Sequence, residues 1–281
     1  MTTTSDAAPA RADSACAPRT MVVIPTYNER ENLAALVGNL LETPALRLLI
    51  VDDDSPDGTG DIADALSRTH PTRVEVLRRR GTRGLGRSYV DGFSRALESD
   101  AEVICQMDAD FSHDPRFLPD LLAALSRADL VIGSRYLQGV SVVNWPLHRL
   151  ALSVLANAYV RIVTGLAVKD CTSGFRCWRR DALAAMPLSR ITSNGYAFQI
   201  EMLGEAASRG WRVREVPIIF VERRQGRSKL SGGILSEALL VPWRSAWRAR
   251  RRPLDEQTGL QRVDTGPTSP PSEKKSPRCG S

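Results

Sequence analysis

The chain has 281 residues, 42% of them hydrophobic and 25% charged, a balance typical of globular proteins in water. A chain of this length can bury a full core as one large domain or two small ones. The net charge of +6 favours partners that carry phosphate, such as nucleotides, nucleic acid and anionic membrane surfaces. No stretch of about 18 uninterrupted apolar residues is present, so we expect no transmembrane helix.

The cysteines and the two ends of the chain indicate the compartment and the domain limits. Five cysteines without a C-x-x-C pair, and three scattered histidines, show no zinc-binding spacing and favour a reducing, cytoplasmic compartment. The polar, acidic N-terminus does not have the pattern of a secretory signal. Residues 1–19 and 251–281 have little to bury, so we expect both to be disordered around one domain at residues 20–250.

Short apolar runs alternate with amphipathic segments in the first part of the chain. Residues 21–24, 46–51, 72–77 and 101–107 are predicted strands, with helices from about residue 33, at 60–68 and at 88–98. This alternation predicts an α/β fold with a mostly parallel sheet and right-handed crossovers. We expect Pro25 to end the first strand, because it lacks the amide proton of a ladder, and Asn28 to cap the next helix.

Carboxylates follow the second and the fourth of these strands. The second runs into Asp52, Asp53 and Asp54, and the fourth into Asp108 and Asp110. Open α/β sheets bind ligands at the carboxyl ends of their strands. Carboxylates hold hard cations such as Mg²⁺ or Mn²⁺ together with phosphate oxygens and water. The sequence therefore predicts that Asp108 and Asp110 hold a metal diphosphate.

A glycine-rich stretch at residues 81–88 follows the third strand. Its glycines do not have the spacing of the dinucleotide fingerprint, which in any case follows a first strand. The stretch differs from a P-loop at Arg87, which stands where the phosphate-binding lysine belongs. Both a turn that leads into the next helix and direct contact with phosphate remain open.

The second part of the chain is richer in tryptophan and arginine. We predict helices at 115–125, 145–160 and 196–209, strands at 129–132 and 211–221, and a strand or hairpin at 171–179 on the far side of the site. Helix 145–160 is too short to span a bilayer; it belongs either to the core or, as Trp145, Arg149 and Arg161 favour, to a membrane interface.

Two basic segments follow the last predicted strand. Residues 222–229 form either a cationic lid or a solvated basic loop. The predicted helix at 234–250 combines tryptophans with arginines, a composition that suits lipid headgroups. The same composition could bind nucleic acid, but no recognition motif accompanies it, so we expect no nucleic-acid partner.

Six motifs resemble those of the family 2 glycosyltransferases, most strongly the dolichol- and polyprenol-phosphate mannosyltransferases. They are IPTYNE from Ile24, VDDDSPDGT from Val51, MDAD from Met107, GSRY from Gly133, TSGFR from Thr172, and the basic loop from Arg223 to Lys229. The resemblance covers residues 21–250. It implies a GT-A fold with interfacial amphipathic helices, and inverting, Mg²⁺- or Mn²⁺-dependent transfer of mannose from GDP-mannose to a polyprenyl phosphate.

The resemblance also implies roles for particular residues. The nucleoside is expected at Pro25, Tyr27, Glu29, Val51 and Asp53, the diphosphate and metal at Asp108, Ala109 and Asp110, donor phosphate contacts at Arg135, Arg223 and Lys229, and the lipid phosphate at Arg149. Asp110, Arg135 and Lys229 would be the catalytic residues. Ser112 stands where parts of the family have a metal-reaching glutamine.

The resemblance further implies where the protein works. It is of the type without C-terminal transmembrane helices, so we expect a peripheral protein at the inner face of the cell membrane, compatible with a membrane-protein anchor. A phosphate monoester acceptor has a second pKa of about 6 and needs no strong base, in keeping with the lack of a catalytic triad. A donor such as UDP-glucose, and a non-catalytic membrane-associated nucleotide binder, remain alternatives.

Overall fold

The computed structural model describes residues 18–221 and 240–244. The strands are β1 (Thr20–Thr26), β2 (Leu46–Asp52), β3 (Val74–Arg78), β4 (Val103–Gln106), β5 (Leu130–Ser134), β6 (Val142–Val143), β7 (Arg176–Arg179), β8 (Val213–Pro217) and β9 (Phe220–Val221). The α-helices are α1 (Leu33–Leu41), α2 (Thr59–Thr69), α3 (Leu85–Leu97), α4 (Leu118–Ala124), α5 (Leu147–Thr164), α6 (Arg180–Ala184) and α7 (Gly195–Ser208). Residues 240–244 are helical, and short 3₁₀ turns flank α4 and precede α7.

The described residues form a seven-stranded sheet in the order β3-β2-β1-β4-β7-β5-β8. Strands β3, β2, β1 and β4 are parallel to one another, β8 is parallel to β5, and β7 runs antiparallel between β4 and β5. The predicted α/β fold with a mostly parallel sheet is confirmed. A separate two-stranded ladder joins β6 to β9.

The core of the described region lies on both faces of this sheet. Alternate residues of a strand point to opposite faces. In β1, Met21 and Val23 accordingly pack with α3 and α7, while Val22 and Ile24 pack with α1 and α4. The predicted apolar side of α1 is confirmed, because its buried residues are Leu33, Leu36, Val37 and Leu40.

Two predictions about the end of β1 are wrong. The strand continues through Pro25 to Thr26. The carbonyl of Val23 bonds towards β4 and that of Thr26 towards β2, so Pro25 faces the β4 side, where pairing has already ended at Val23 and Gln106. The missing amide proton therefore breaks no ladder. Asn28 does not cap α1 either, since Asn32 precedes that helix and Asn28 has a φ of 58° within the turn.

The segment 171–179 was expected on the far side of the site. The strand expected there is confirmed as β7, which lies in the middle of the sheet, paired to β4 and β5. The predicted strand at 211–221 divides into β8 and β9, and the predicted helix at 145–160 runs from Leu147 to Thr164. No helix among the described residues is long and apolar enough to cross a membrane.

Several predictions fall outside the described residues. These are disorder at 1–17 and 251–281, the basic loop at 222–229, and most of the helix at 234–250. Arg19, assigned to the disordered segment, is described, and its guanidinium bonds to the carboxylate of Glu102 at 2.8 Å.

Candidate active site

The carboxyl ends of β1, β2 and β4 meet at one edge of the sheet. The amide of Asp53 donates to the carbonyl of Thr26 at 3.0 Å, and that of Met107 to the carbonyl of Val23 at 3.2 Å. Just beyond these strands the backbone turns sharply, with φ values of 58° at Asn28, 59° at Asp54 and 61° at Phe111. Such conformations concentrate at functional sites, where the surrounding structure holds them.

Asp108 and Asp110 follow β4 and are both held by neighbouring groups. The hydroxyl of Tyr89 donates to Asp108 Oδ1 at 3.1 Å, and the amide of Ser112 donates to Asp110 Oδ1 at 3.1 Å. Tyr89 is fully buried, and burial, together with the two carboxylates, raises its pKa well above the usual value. Tyr89 therefore stays protonated and acts as a donor to Asp108.

His113 holds the backbone of Asp108, the first residue of this pair. Its Nδ1 accepts the amide proton of Asp108 at 3.0 Å, and its ring stacks on Phe175 with centroids 5.2 Å apart. Burial lowers the pKa of His113, against the opposing effect of Asp108 and Asp110. Because Nδ1 is an acceptor, the geometry assigns the proton of the neutral ring to Nε2.

A cleft opens above these residues. It is lined by Asp108, Asp110, Ser112, His113, Arg135, Arg149, Thr172, Ser173, Gly174, Tyr196 and Phe220. Gly174 lies against His113 and Asp108, because a Cβ there would lie 3.3 Å from His113 Cε1 and 3.6 Å from Asp108 Oδ2. The structure thus brings the aspartate pair, Arg135 and Arg149 into one cleft.

Arg135 is held in a buried ion pair. Its Nε and Nη2 donate to the two carboxylate oxygens of Asp170, each at 2.7 Å, and Nη2 also donates to Thr172 Oγ1 at 2.7 Å. Burial alone would raise the pKa of Asp170, but the guanidinium reverses this and holds the pKa below its usual value. The bidentate pair fixes the direction of Arg135 within the cleft.

Arg149, at the start of α5, lies at the rim of the same cleft. Its guanidinium stacks over the ring of Trp145 at 4.4 Å from the centroid. Trp145 also contacts Phe220 edge to face at 5.4 Å. A partly buried guanidinium on an aromatic ring is well suited to meet an incoming phosphate.

The residues expected around a nucleoside lie at the ends of β1 and β2. Tyr27 is partly buried beneath Arg83, and Glu29 accepts from the side chain of Asn32 at 2.9 Å. Asp53 accepts from the amide of Gly84 at 2.7 Å and is paired with Arg79. The other two expected residues, Pro25 and Val51, pair with each other inside the sheet, where the side chain of Val51 is fully buried.

The donor set fits a hard divalent cation. Within residues 18–221 and 240–244 no group of three or more His, Cys, Asp or Glu side chains forms a metal cluster. Mg²⁺ and Mn²⁺ do not need one, because substrate phosphates and water complete a shell that one or two carboxylates begin. Asp108 and Asp110, with Ser112 beside them and Ala109 buried between them, supply that beginning.

Sequence reasoning missed three supporting residues and could not be checked at two others. Tyr89, His113 and Asp170 hold the predicted site residues in place, and the partners of Tyr89 and Asp170 are distant in sequence. His113 was within reach of sequence reasoning, since it follows Asp108 closely in a turn. Arg223 and Lys229 lie outside the described residues.

Comparison with known proteins identifies related chains. The model of the glycosyl transferase family 2 matches residues 21–186. Polyprenol monophosphomannose synthase of Mycolicibacterium smegmatis is 46% identical over 87% of this chain and 92% of its own length. Undecaprenyl-phosphate mannosyltransferase of Micrococcus luteus is 46% identical over 86% of this chain and 100% of its own length.

Solved structures share the fold. Glucosyl-3-phosphoglycerate synthase of Mycobacterium tuberculosis, in complex with Mn²⁺, UDP-glucose and phosphoglyceric acid, superposes with a TM-score of 0.60 at 18% identity, over 82% of this chain and 79% of the other. A mannosyltransferase of Pyrobaculum calidifontis, in complex with GDP-Man and Mn²⁺, gives 0.50 at 18% identity, over 83% and 74%. The chain therefore has the predicted GT-A fold.

Proposed function

This chain belongs to glycosyl transferase family 2, and we propose that it transfers mannose from GDP-mannose to a polyprenyl phosphate with inversion at the sugar. One observation carries the proposal: the aspartate pair that suits a metal diphosphate shares a cleft with Arg149, which suits a second phosphate. A reaction between a sugar diphosphate and a phosphate acceptor needs both sites side by side. The names of the two relatives supply the sugar and the class of lipid.

The donor would lie along the edge formed by β2, β1 and β4. Tyr27, Glu29 and Asp53 would receive the nucleoside, and Asp108 and Asp110 would hold the diphosphate through Mg²⁺ or Mn²⁺. The bound cation would stabilise the charge that grows on the departing diphosphate. Tyr89 and His113 contribute by fixing Asp108 before the donor arrives, which avoids reorganisation during the reaction.

The acceptor would enter from the side of Arg149. A phosphate monoester is already ionised near neutral pH, since its second pKa is about 6, so the described residues need only orient it. One acceptor oxygen forms a bond to C1 of the sugar while the bond from C1 to the donor diphosphate breaks. Arg149 would aim that oxygen, and Arg135, fixed by Asp170, would add positive charge beside it. Arg223 and Lys229 remain predicted phosphate contacts.

Helix α5 supports a position at the membrane surface. It exposes Leu147, Leu152, Leu155 and Ile162, which are 81%, 54%, 66% and 83% accessible. Trp243, 61% accessible, bonds to Tyr159 of this helix at 2.9 Å. An apolar helix face with tryptophan and arginine nearby is typical of helices that lie in the headgroup region. We propose that this face lets the protein reach a lipid-anchored acceptor from the inner side of the membrane.

A donor panel tests the proposal. The full-length protein would be incubated with a short-chain polyprenyl phosphate, with Mg²⁺ or Mn²⁺, and with either GDP-mannose or UDP-glucose. Mass spectrometry should find polyprenyl-phosphate mannose with GDP-mannose, and no product after chelation of the metal. A hexosylated lipid formed faster from UDP-glucose, or undiminished turnover with a chelator, would contradict the proposed donor or the proposed metal respectively.

A further inference from the structure

Arg83 and Asp54 lie at the ends of β1 and β2, away from the aspartate pair. Arg83 Nη1 donates to the hydroxyl of Tyr27 at 2.9 Å, and its Nη2 donates to the carbonyl and the carboxylate of Asp54 at 2.9 and 3.1 Å. Its Cζ atom is 4.8 Å from the centre of the Tyr27 ring. Both side chains are accessible, at 46% for Arg83 and 62% for Asp54.

The loop that carries Arg83 is fastened on both sides of it. Before Arg83, Arg79 pairs with Asp53 and with Asp91, the latter at 2.6 Å. After it, the amide of Gly84 donates to Asp53 Oδ2 at 2.7 Å. The loop is therefore anchored over the end of β2, while the guanidinium of Arg83, itself accessible, rests on the partly buried Tyr27 and the exposed Asp54.

The position excludes the diphosphate as the natural partner of this arginine. In the order β2-β1-β4, the β2 end is two strands from the aspartates that follow β4. Neighbouring strands are about 4.8 Å apart, which puts the two ends roughly 10 Å from each other. That separation matches the step from a diphosphate to the base of the same nucleotide, so Arg83 lies where the base is expected.

We propose that Arg83 and Asp54 select guanine as the base of the donor. This inference rests on the proposed function, which it deepens by naming the groups that read the base. Guanine offers two acceptors, O6 and N7, to the fork of an arginine, and the adjacent N1 and N2 donors to a carboxylate. Adenine has an amino group in place of the O6 acceptor and an acceptor in place of the N1 donor. Uracil has no second acceptor beside its O4 on the C5 side and no amino group beside its N3 donor. The base would displace Arg83 from the hydroxyl of Tyr27, and the ring of Tyr27 would then stack on the base.

Nucleotide binding measures this selection without any need for turnover. Calorimetric titration of the full chain with Mg²⁺ would compare GDP, UDP, ADP and 7-deaza-GDP, which lacks the N7 acceptor. We expect Arg83→Ala to weaken GDP binding at least about tenfold, which corresponds to the loss of one bidentate base contact, and to change UDP binding less than about threefold. The preference of the wild type for GDP over 7-deaza-GDP should disappear in this variant.

Three further variants sharpen the test. Arg83→Lys keeps the charge but loses the fork, and should behave like Arg83→Ala towards GDP. Asp54→Asn should reduce the preference for GDP over inosine diphosphate, which lacks the N2 amino group. Arg80→Ala removes another exposed arginine of the same loop and should leave the preference for GDP over UDP unchanged.

The outcomes separate this inference from the proposed function. Equal weakening of GDP and UDP in Arg83→Ala, unchanged GDP binding, or a 7-deaza penalty that survives in the variant would each overturn the base contact while GDP-mannose remains the donor. A wild-type protein that binds UDP as tightly as GDP and uses both sugars would overturn the proposed donor and the base contact together.

Discussion

The two halves of the central sheet hold their polar groups in different ways. In the half made of β3, β2, β1 and β4, carboxylates stand at strand ends, and Asp53 and Asp110 each accept a backbone amide. In the half made of β7, β5 and β8, one ion pair is fully inside: Arg135 is 4% accessible and its partner Asp170 is 0% accessible. In the first half the aspartates Asp108 and Asp110 line the cleft, whereas in the second half Asp170 is fully buried and holds Arg135, which also lines the cleft. Substitutions in the two halves should therefore have different consequences.

The largest effect is expected at Asp110, in the first half. Asp110→Asn keeps the hydrogen bond to the Ser112 amide but removes the negative charge that a divalent cation needs. Transfer should fall at least about 1000-fold, because metal stabilisation of the leaving diphosphate would contribute several kcal/mol under the proposed function. The melting temperature should change by less than about 3 °C.

The initial rate with saturating metal measures this loss. Asp114→Asn is the matched control, since Asp114 lies in the same loop but pairs with the exposed Arg116. Normal metal-dependent activity in Asp110→Asn would contradict the assigned metal site.

The second largest effect is expected on stability, at Asp170. Asp170→Asn leaves Arg135 buried without its counter-charge, which should lower the free energy of unfolding by about 3–5 kcal/mol. The same change at Asp129, whose partner Arg212 is 56% exposed, should cost less than about 1 kcal/mol. Urea unfolding at neutral pH measures both values.

The pH dependence of the Asp170 effect has a definite sign. The folded-state pKa of Asp170 lies below its ordinary value, so its stabilising contribution is complete above the unfolded pKa of about 3.9 and is lost as the pH falls through the folded value. The difference between wild type and Asp170→Asn should therefore shrink below about pH 3.9. An Asp170→Asn protein as stable as Asp129→Asn would contradict the comparison of the two halves.

A smaller effect is expected at His113, which positions Asp108. His113→Asn retains an acceptor near the place of Nδ1, whereas His113→Gln puts its amide near the place of Nε2 and leaves the Asp108 amide without its partner. His113→Gln should weaken Mn²⁺ binding in the presence of GDP by about 10- to 100-fold, and His113→Asn by much less. Equal losses in both variants would show that His113 acts by packing alone.

The smallest effect is expected on the exposed face of α5. Leu155→Asp should weaken binding to anionic vesicles about tenfold, through lost apolar burial and added repulsion, and leave activity on a water-soluble prenyl phosphate unchanged. Leu85→Asp changes an exposed leucine at the start of α3 and serves as the control. Co-sedimentation measures the bound fraction. Unchanged vesicle binding in Leu155→Asp would remove α5 from the membrane surface.

The sequence predicted local features of the first half well. The hydrophobic periodicity of strands and helices is a local feature of the sequence, and so is a carboxylate that follows a strand. The strands β1 to β4 and the Asp108–Asp110 pair could therefore be predicted from the sequence. The error at Pro25 has a physical cause. A proline within a strand disturbs the ladder only on the side its nitrogen faces, and that side depends on where β4 ends.

The second half depended on contacts between residues far apart in sequence. Nothing near residues 171–179 indicates that β7 would insert between β4 and β5, because strand order is decided by pairing across the whole sheet. Asp170 shows the same limit, since its partner Arg135 lies in another loop and the pair forms only when β5 and β7 are adjacent. Whether an aspartate is buried depends on its tertiary contacts, and the residues next to it in the sequence do not reveal them.

The position of β7 in the sheet also affects how the protein unfolds. This strand pairs with β4 on one side and β5 on the other, and so joins the two halves through backbone hydrogen bonds. A fragment that ends after β5 would lack β7, the strand that pairs with both β4 and β5. Because both halves depend on β7, we expect them to unfold together in one cooperative transition rather than the half with β5 and β8 first.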